Sequence, residues 1–130
     1  GCLAGSLTSV ACALLLCKTL AVEESIAASL LPKSVTTAIA VAISESSGGI
    51  QSITVAAVIV AGITGALFAP LFARMFRVTD PVAEGVAIGA CSHALGTAKA
   101  LEIGELQGAM SSISICVCGI ITSVLVLFLP

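Results

Sequence analysis

Lys33, His93 and Lys99 stand in stretches that are otherwise poor in charge. An ionisable side chain at membrane depth is expensive, so it points to function by default. Lys33 belongs to the string Leu31-Pro32-Lys33-Ser34-Val35-Thr36-Thr37, and His93 to Cys91-Ser92-His93-Ala94-Leu95-Gly96-Thr97. Thr36, Thr37 and Thr97 are placed to open helices, where a hydroxyl caps exposed amides or shares them with a bound anion. Lys99 falls in the first turn of its expected half-helix, against the positive end of the macrodipole, a placement that an anion would relieve. Two helix N-termini converging with two ammonium groups would hold a small anion. The candidate binding set is Lys33, Ser34, Thr36, Thr37, Ser92, His93, Gly96, Thr97 and Lys99.

Each of these residues has a plainer reading. The lysines could snorkel or pair with a carboxylate; Glu102 lies three residues after Lys99, although Lys before Glu is the weaker helical orientation. The threonines could be structural caps. His93 follows Gly85 and Gly89 at i+4 spacing and could be a hydrogen-bonded core residue, whereas its titration range would suit proton coupling. No catalytic constellation, cofactor motif or metal cluster is visible, and adjacent Ser92-His93 has the wrong geometry for a triad pair. An enzyme is not expected.

Composition sets the solvent. Of 130 residues only 9 % are charged, against 58 % hydrophobic, whereas a soluble domain carries about 25 % charged residues. Too few charges are present to cover a water-facing surface, so a membrane protein is expected, with the lipid bilayer as its first partner. The net charge of −2 implies no nucleic-acid partner. The cysteines, Cys2, Cys12, Cys17, Cys91, Cys116 and Cys118, lie mostly in apolar runs and form no C-x-x-C pair. They read as free thiols acting as small hydrophobes, not as a zinc site or disulfide framework.

The elements that must position the candidates follow from the charge-free runs. Ser52–Ala73 and Ser111–Leu129 are long enough to span a bilayer. Residues 1–17 are shorter than a span and lack a basic n-region and a cleavage site, so they read as a transmembrane helix cut at its N-terminal end. Residues 23–46 and 82–108 are each broken midway, at the two strings quoted above. Their arms of about 8–11 residues reach roughly half the ~30 Å hydrocarbon core.

The broken segments also match each other at an offset of 60. Glu24, Ala27, Thr37, Ala38, Ala40, Ile43, Glu45, Gly48, Ser52 and Ile53 meet Glu84, Ala87, Thr97, Ala98, Ala100, Ile103, Glu105, Gly108, Ser112 and Ile113. Coincidence in a biased composition is the bland account; the matching charges and break points favour an internal repeat, about 23–73 and 82–130. The expected fold is an all-α polytopic membrane protein built from two repeats of broken helix plus transmembrane helix. Paired broken helices mark transporter binding sites. Re-entrant hairpins would make the repeats inverted and crossing helices would make them parallel; the hairpins are favoured. Small-residue faces, Ala57-Ala61-Gly65-Ala69-Ala73, Gly85-x-x-x-Gly89 and Gly104-x-x-x-Gly108, are read as close-packing surfaces.

The two quoted strings, with Lys99-Ala100-Leu101 after the second, resemble the LrgB family, also called CidB/LrgB or antiholin-like. So do Ile43-Ser44-Glu45, Gly48-Gly49, Asp80-Pro81 and Gly104-Glu105-Leu106-Gln107-Gly108-Ala109. The resemblance covers roughly residues 20–130, as an LrgB-like membrane core. It implies two functions. One is antiholin-like modulation of murein hydrolase export and cell lysis with an LrgA/CidA-type membrane partner. The other is transport of small monocarboxylates, as in the related plastid glycolate/glycerate translocator and the bacterial pairs tied to pyruvate uptake. A carrier of a small carboxylate anion with a coupled proton or sodium ion is favoured, in a bacterial plasma membrane rather than a plastid envelope. No cofactor is expected, and a homo-oligomer is left open.

Overall fold

The structure is a computed structural model that describes residues 1–128. The described chain is all-helical: α1 Cys2–Thr19, α2 Glu24–Leu30, α3 Thr37–Ser46, α4 Gln51–Met75, α5 Pro81–Ile103 and α6 Glu105–Leu127. Three of these, Cys2–Thr19, Gln51–Met75 and Glu105–Val126, are long and apolar enough to cross a membrane. The expected end of the last span at Leu129 lies outside the described residues.

The breaks have local causes. Pro32 has no amide hydrogen to continue a ladder, and residues 31–36 separate α2 from α3. Asp80 stops the preceding loop by accepting the Ala83 amide at 2.9 Å, with Pro81 opening α5 at the position where a missing N–H is harmless. Gly104, at φ 178° and ψ 157°, is extended and divides α5 from α6. That corrects the sequence reading, which carried the half-helix through to Gly108; Gly104 and Gly108 do not share a helix face, because α6 begins at Glu105. Within α5 a single residue, His93, leaves helical geometry at φ 39° and ψ −136°.

Packing follows the small residues. α5 lies chiefly on α6 and then on α4; α3 lies on α4, and α1 on α6 and α5. Gly85 and Gly89 sit against the backbones of Gln107 and Ser111. Beyond His93, Thr97 meets Ser111 with 2.7 Å between hydroxyls, and Leu101 covers Gly108. On the other side Ser29 accepts the Ile50 amide at 2.6 Å, Ser44 lies 2.7 Å from the Thr54 hydroxyl, and Val35 and Ala40 pack with Val58. The buried face of α4 is Thr54, Val58 and Gly62; the expected stripe from Ala57 to Ala73 is only half-buried. Many large apolar residues, Leu67, Phe76 and Ile120 among them, are turned outward, as lipid-facing surfaces require.

Candidate functional site

The middle of α4 collects both interruptions. Val35, in the turn between α2 and α3, packs its side chain on Val58. From α5, the His93 Nε2–H donates to the Val58 carbonyl oxygen at 2.9 Å. The imidazole lies over Gly62, where a Cβ would fall 2.6 Å from His93 Cε1, and Ser92 lies over Gly65. Both helices can approach only because α4 lacks side chains at those two positions.

Lys33 sits half-buried in the same turn as Val35. Its Nζ donates to Ser34 Oγ at 3.1 Å and to Ser9 Oγ at 3.4 Å, and the two hydroxyls are 2.5 Å apart. Cys91 lies within electrostatic range of it. Among the described residues the one ion pair is Lys99–Glu102, so Lys33 has no carboxylate partner. Thr36 is the N-cap of α3 but its hydroxyl makes no capping bond, and Thr37 begins the helix exposed. The first-turn amides of α3 therefore keep no partner from the chain's own caps. A cavity of about 1070 Å³ runs beside α2 and α3, from Glu24 and Ile43 to Leu31 and Ala38 next to this turn.

The remaining candidates divide. Ser92, His93, Gly96 and Thr97 are buried at the kink of α5. Gly96 makes room for Ser92 and Ile88. Thr97 lies one turn inside the helix and does not open it: its hydroxyl donates to the His93 carbonyl at 3.0 Å. The interruption is confined to His93, so the helix resumes before Thr97. Lys99 lies beyond the first turn, half-exposed and paired at 2.7 Å with Glu102; nothing brings it to Lys33. Sequence reasoning missed Ser9 and the Val58 carbonyl. A lone serine in a span carries no signal, and a backbone acceptor leaves none.

His93 holds a conformation that glycine adopts more readily. His93→Gly is expected to leave thermal stability in detergent nearly unchanged, trading a lost hydrogen bond for relieved strain. His93→Leu keeps the strain and loses the bond, and is expected to cost about 2 kcal/mol.

Three candidate spans with a polar, hydroxyl-rich junction around a buried histidine and a lysine define an all-helical membrane protein. The LrgB-like family profile matches residues 1–130. A protein of Bacillus mycoides (strain KBAB4) named Antiholin-like protein LrgB is 42 % identical over 131 residues, covering 97 % of this chain and 55 % of its own. Uncharacterized protein YxaC of Bacillus subtilis (strain 168) is 39 % identical over 123 residues, covering 95 % of this chain and 54 % of its own. The chain belongs to the LrgB-like family, and it spans about half the length of these curated relatives. No solved structure matches it.

Proposed function

We propose that the chain forms the binding core of a secondary carrier for small 2-hydroxy or 2-oxo monocarboxylates in a bacterial plasma membrane. The observation that carries this reading is Lys33: a cation at a helix break, held by two hydroxyls, with no carboxylate among the described residues to balance it. Uncompensated charge in a membrane is costly. A carboxylate anion seated between Lys33, Ser9, Ser34 and the first amides of α3 would balance it.

The contacts support two inverted hairpins as the frame of this site. Ser29 and Val35 meet Ile50 and Val58 in ascending order, while Ala40 and Ser44 meet Val58 and Thr54 in descending order. Gly85 and Gly89 likewise ascend α6 at Gln107 and Ser111, and Thr97 and Leu101 descend it at Ser111 and Gly108. Arms that follow one span in opposite directions make a re-entrant hairpin, once against α4 and once against α6, with tips meeting at mid-membrane. Arg74, Arg77 and Lys99 then share one face and Lys18 lies at the other, so the positive-inside rule puts the Arg74 end in the cytoplasm. Cysteines placed at Thr79 and Glu105 in a cysteine-free background are expected to label from the cytoplasmic side alike. Labelling from opposite sides would overturn the hairpin in α5.

The name of the Bacillus mycoides relative supports a second reading, an antiholin-like regulator, for which the family resemblance of the sequence implies an LrgA-type partner. Uptake of labelled pyruvate, glycolate and glycerate by the full-length protein in proteoliposomes separates the two, with and without such a partner. Saturable uptake supports the carrier. Vesicles no better than empty ones, with folded protein and every acid and pH gradient tried, would leave the regulator.

A further inference from the structure

A second cavity, of about 630 Å³, opens where α4 leaves the apolar layer and the two ends of α5 come together. Pro70, Arg74, Arg77, Thr79, Glu84 and Ile103 line it. Its charges are unbalanced. Asp80, the nearest acid in sequence, is engaged with the Ala83 amide at 2.9 Å, and Glu84 accepts from Gln107 Nε2 at 3.2 Å. Neither arginine side chain has an ion pair among the described residues.

At the offset of 60, Glu84 and Ile103 correspond to Glu24 and Ile43, and both of these line the first cavity. The two cavities thus occupy equivalent places, one beside each broken segment. Among the described residues no cation lines the first cavity, whereas two line the second. Arg77 is also held at φ 52° just past the end of α4, a position that favours glycine. Arg74 in the last turn of α4 and Arg77 just past its end both line the cavity, and two guanidinium groups there suit the oxygens of a phosphate, and the apolar walls at Pro70 and Ile103 suit the glycerol and acyl stems below it.

The geometry points to a binding site for the phosphate headgroup of an anionic phospholipid, held by Arg74 and Arg77 at this end of α4. The site is separate from Lys33 and does not depend on the carrier reading. Each interfacial cation is worth about a factor of five toward anionic lipid, so the pair should be worth about twenty-five.

The test uses the full-length protein purified in mild detergent with equal phosphatidylglycerol and phosphatidylcholine, and reads retained lipid by native mass spectrometry. Wild type is expected to retain phosphatidylglycerol preferentially. Arg74→Gln/Arg77→Gln should lose the preference by about twenty-fivefold, and Lys18→Gln, at the opposite end, should not. Ile103→Trp keeps both charges but fills the cavity, and it should also lose the lipid. It carries the test if the double variant fails to fold. Unchanged preference in Ile103→Trp or in a folded Arg74→Gln/Arg77→Gln would overturn the site. Displacement of the lipid by soluble glycerol 3-phosphate would overturn the lipid assignment in favour of a soluble phosphate.

Discussion

Lys33→Met is expected to weaken monocarboxylate binding by about a hundredfold, the loss of a charge-assisted contact worth up to about 3 kcal/mol. The same substitution is expected to raise the thermal stability of the ligand-free protein. Both follow from the missing counter-charge: without a carboxylate partner, the ammonium is a desolvation cost in the empty protein and an asset only when an anion is present. Removing it strands no donor, because the ammonium only donates to Ser9 and Ser34, and those two hydroxyls, 2.5 Å apart, keep the hydrogen bond between them. Methionine keeps the length and fills the same space. Opposite signs for binding and stability are what distinguish a ligand-balanced lysine from a structural one. If Lys33→Met destabilises the protein, or leaves binding intact, the anion site is not where we place it. Lys99→Met should change little in either assay, since Lys99 has its own acid at 2.7 Å.

The contrast between the two lysines also marks what sequence could and could not say. From sequence both read as intramembrane cations, Lys33 in the break ahead of one half-helix and Lys99 in the first turn of the other. The i, i+3 spacing to Glu102 was visible as an alternative for Lys99, but only the placement of the break decides it. The first break was legible because Pro32 and the polar residues after it interrupt helix chemistry over several positions. The second is one residue wide. His93 takes a positive φ that histidine rarely adopts, and no propensity announces it, so sequence puts Thr97 at a helix start that lies a turn earlier. The spans were legible from their charge-free length. Their ends shifted where Gly104 and the turn after Met75, not hydrophobicity, decide termination.

The proposed repeat is legible as pattern and not as geometry. Matching Glu24 with Glu84 and Ile43 with Ile103 says that two segments resemble each other. It does not say whether their arms cross or return. The hairpin proposal rests instead on which residues of each arm face the following span, through contacts such as Ser29 with Ile50 and Thr97 with Ser111. Small residues foretold that close approach would occur, but not against what. Sequence offered the Gly85-x-x-x-Gly89 face without its partner.

That partner sets the largest stability effect expected in the chain. A Cβ on Gly89 would lie 2.9 Å from the Ser111 Cα and 2.9 Å from the Ser114 Cβ, and closer still to the Ser111 carbonyl oxygen. These are mostly backbone atoms, which cannot swing aside as a side-chain tip would. Gly89→Ala must therefore push α5 off α6, the pair with the most extensive packing, and would also disturb the Thr97–Ser111 bond one turn on. In lipid no hydrophobic drive restores the lost contact, because the tails are as apolar as the helices. A loss of about 3 kcal/mol is expected, read as a lower unfolding temperature in detergent and reduced yield. Gly48→Ala is the matching control. It sits at φ 73° with nothing near its would-be Cβ, so it carries backbone strain alone and should cost about 1 kcal/mol. If the two substitutions prove equal, the α5–α6 approach is looser than the structure has it, and the hairpin that depends on it loses its main support.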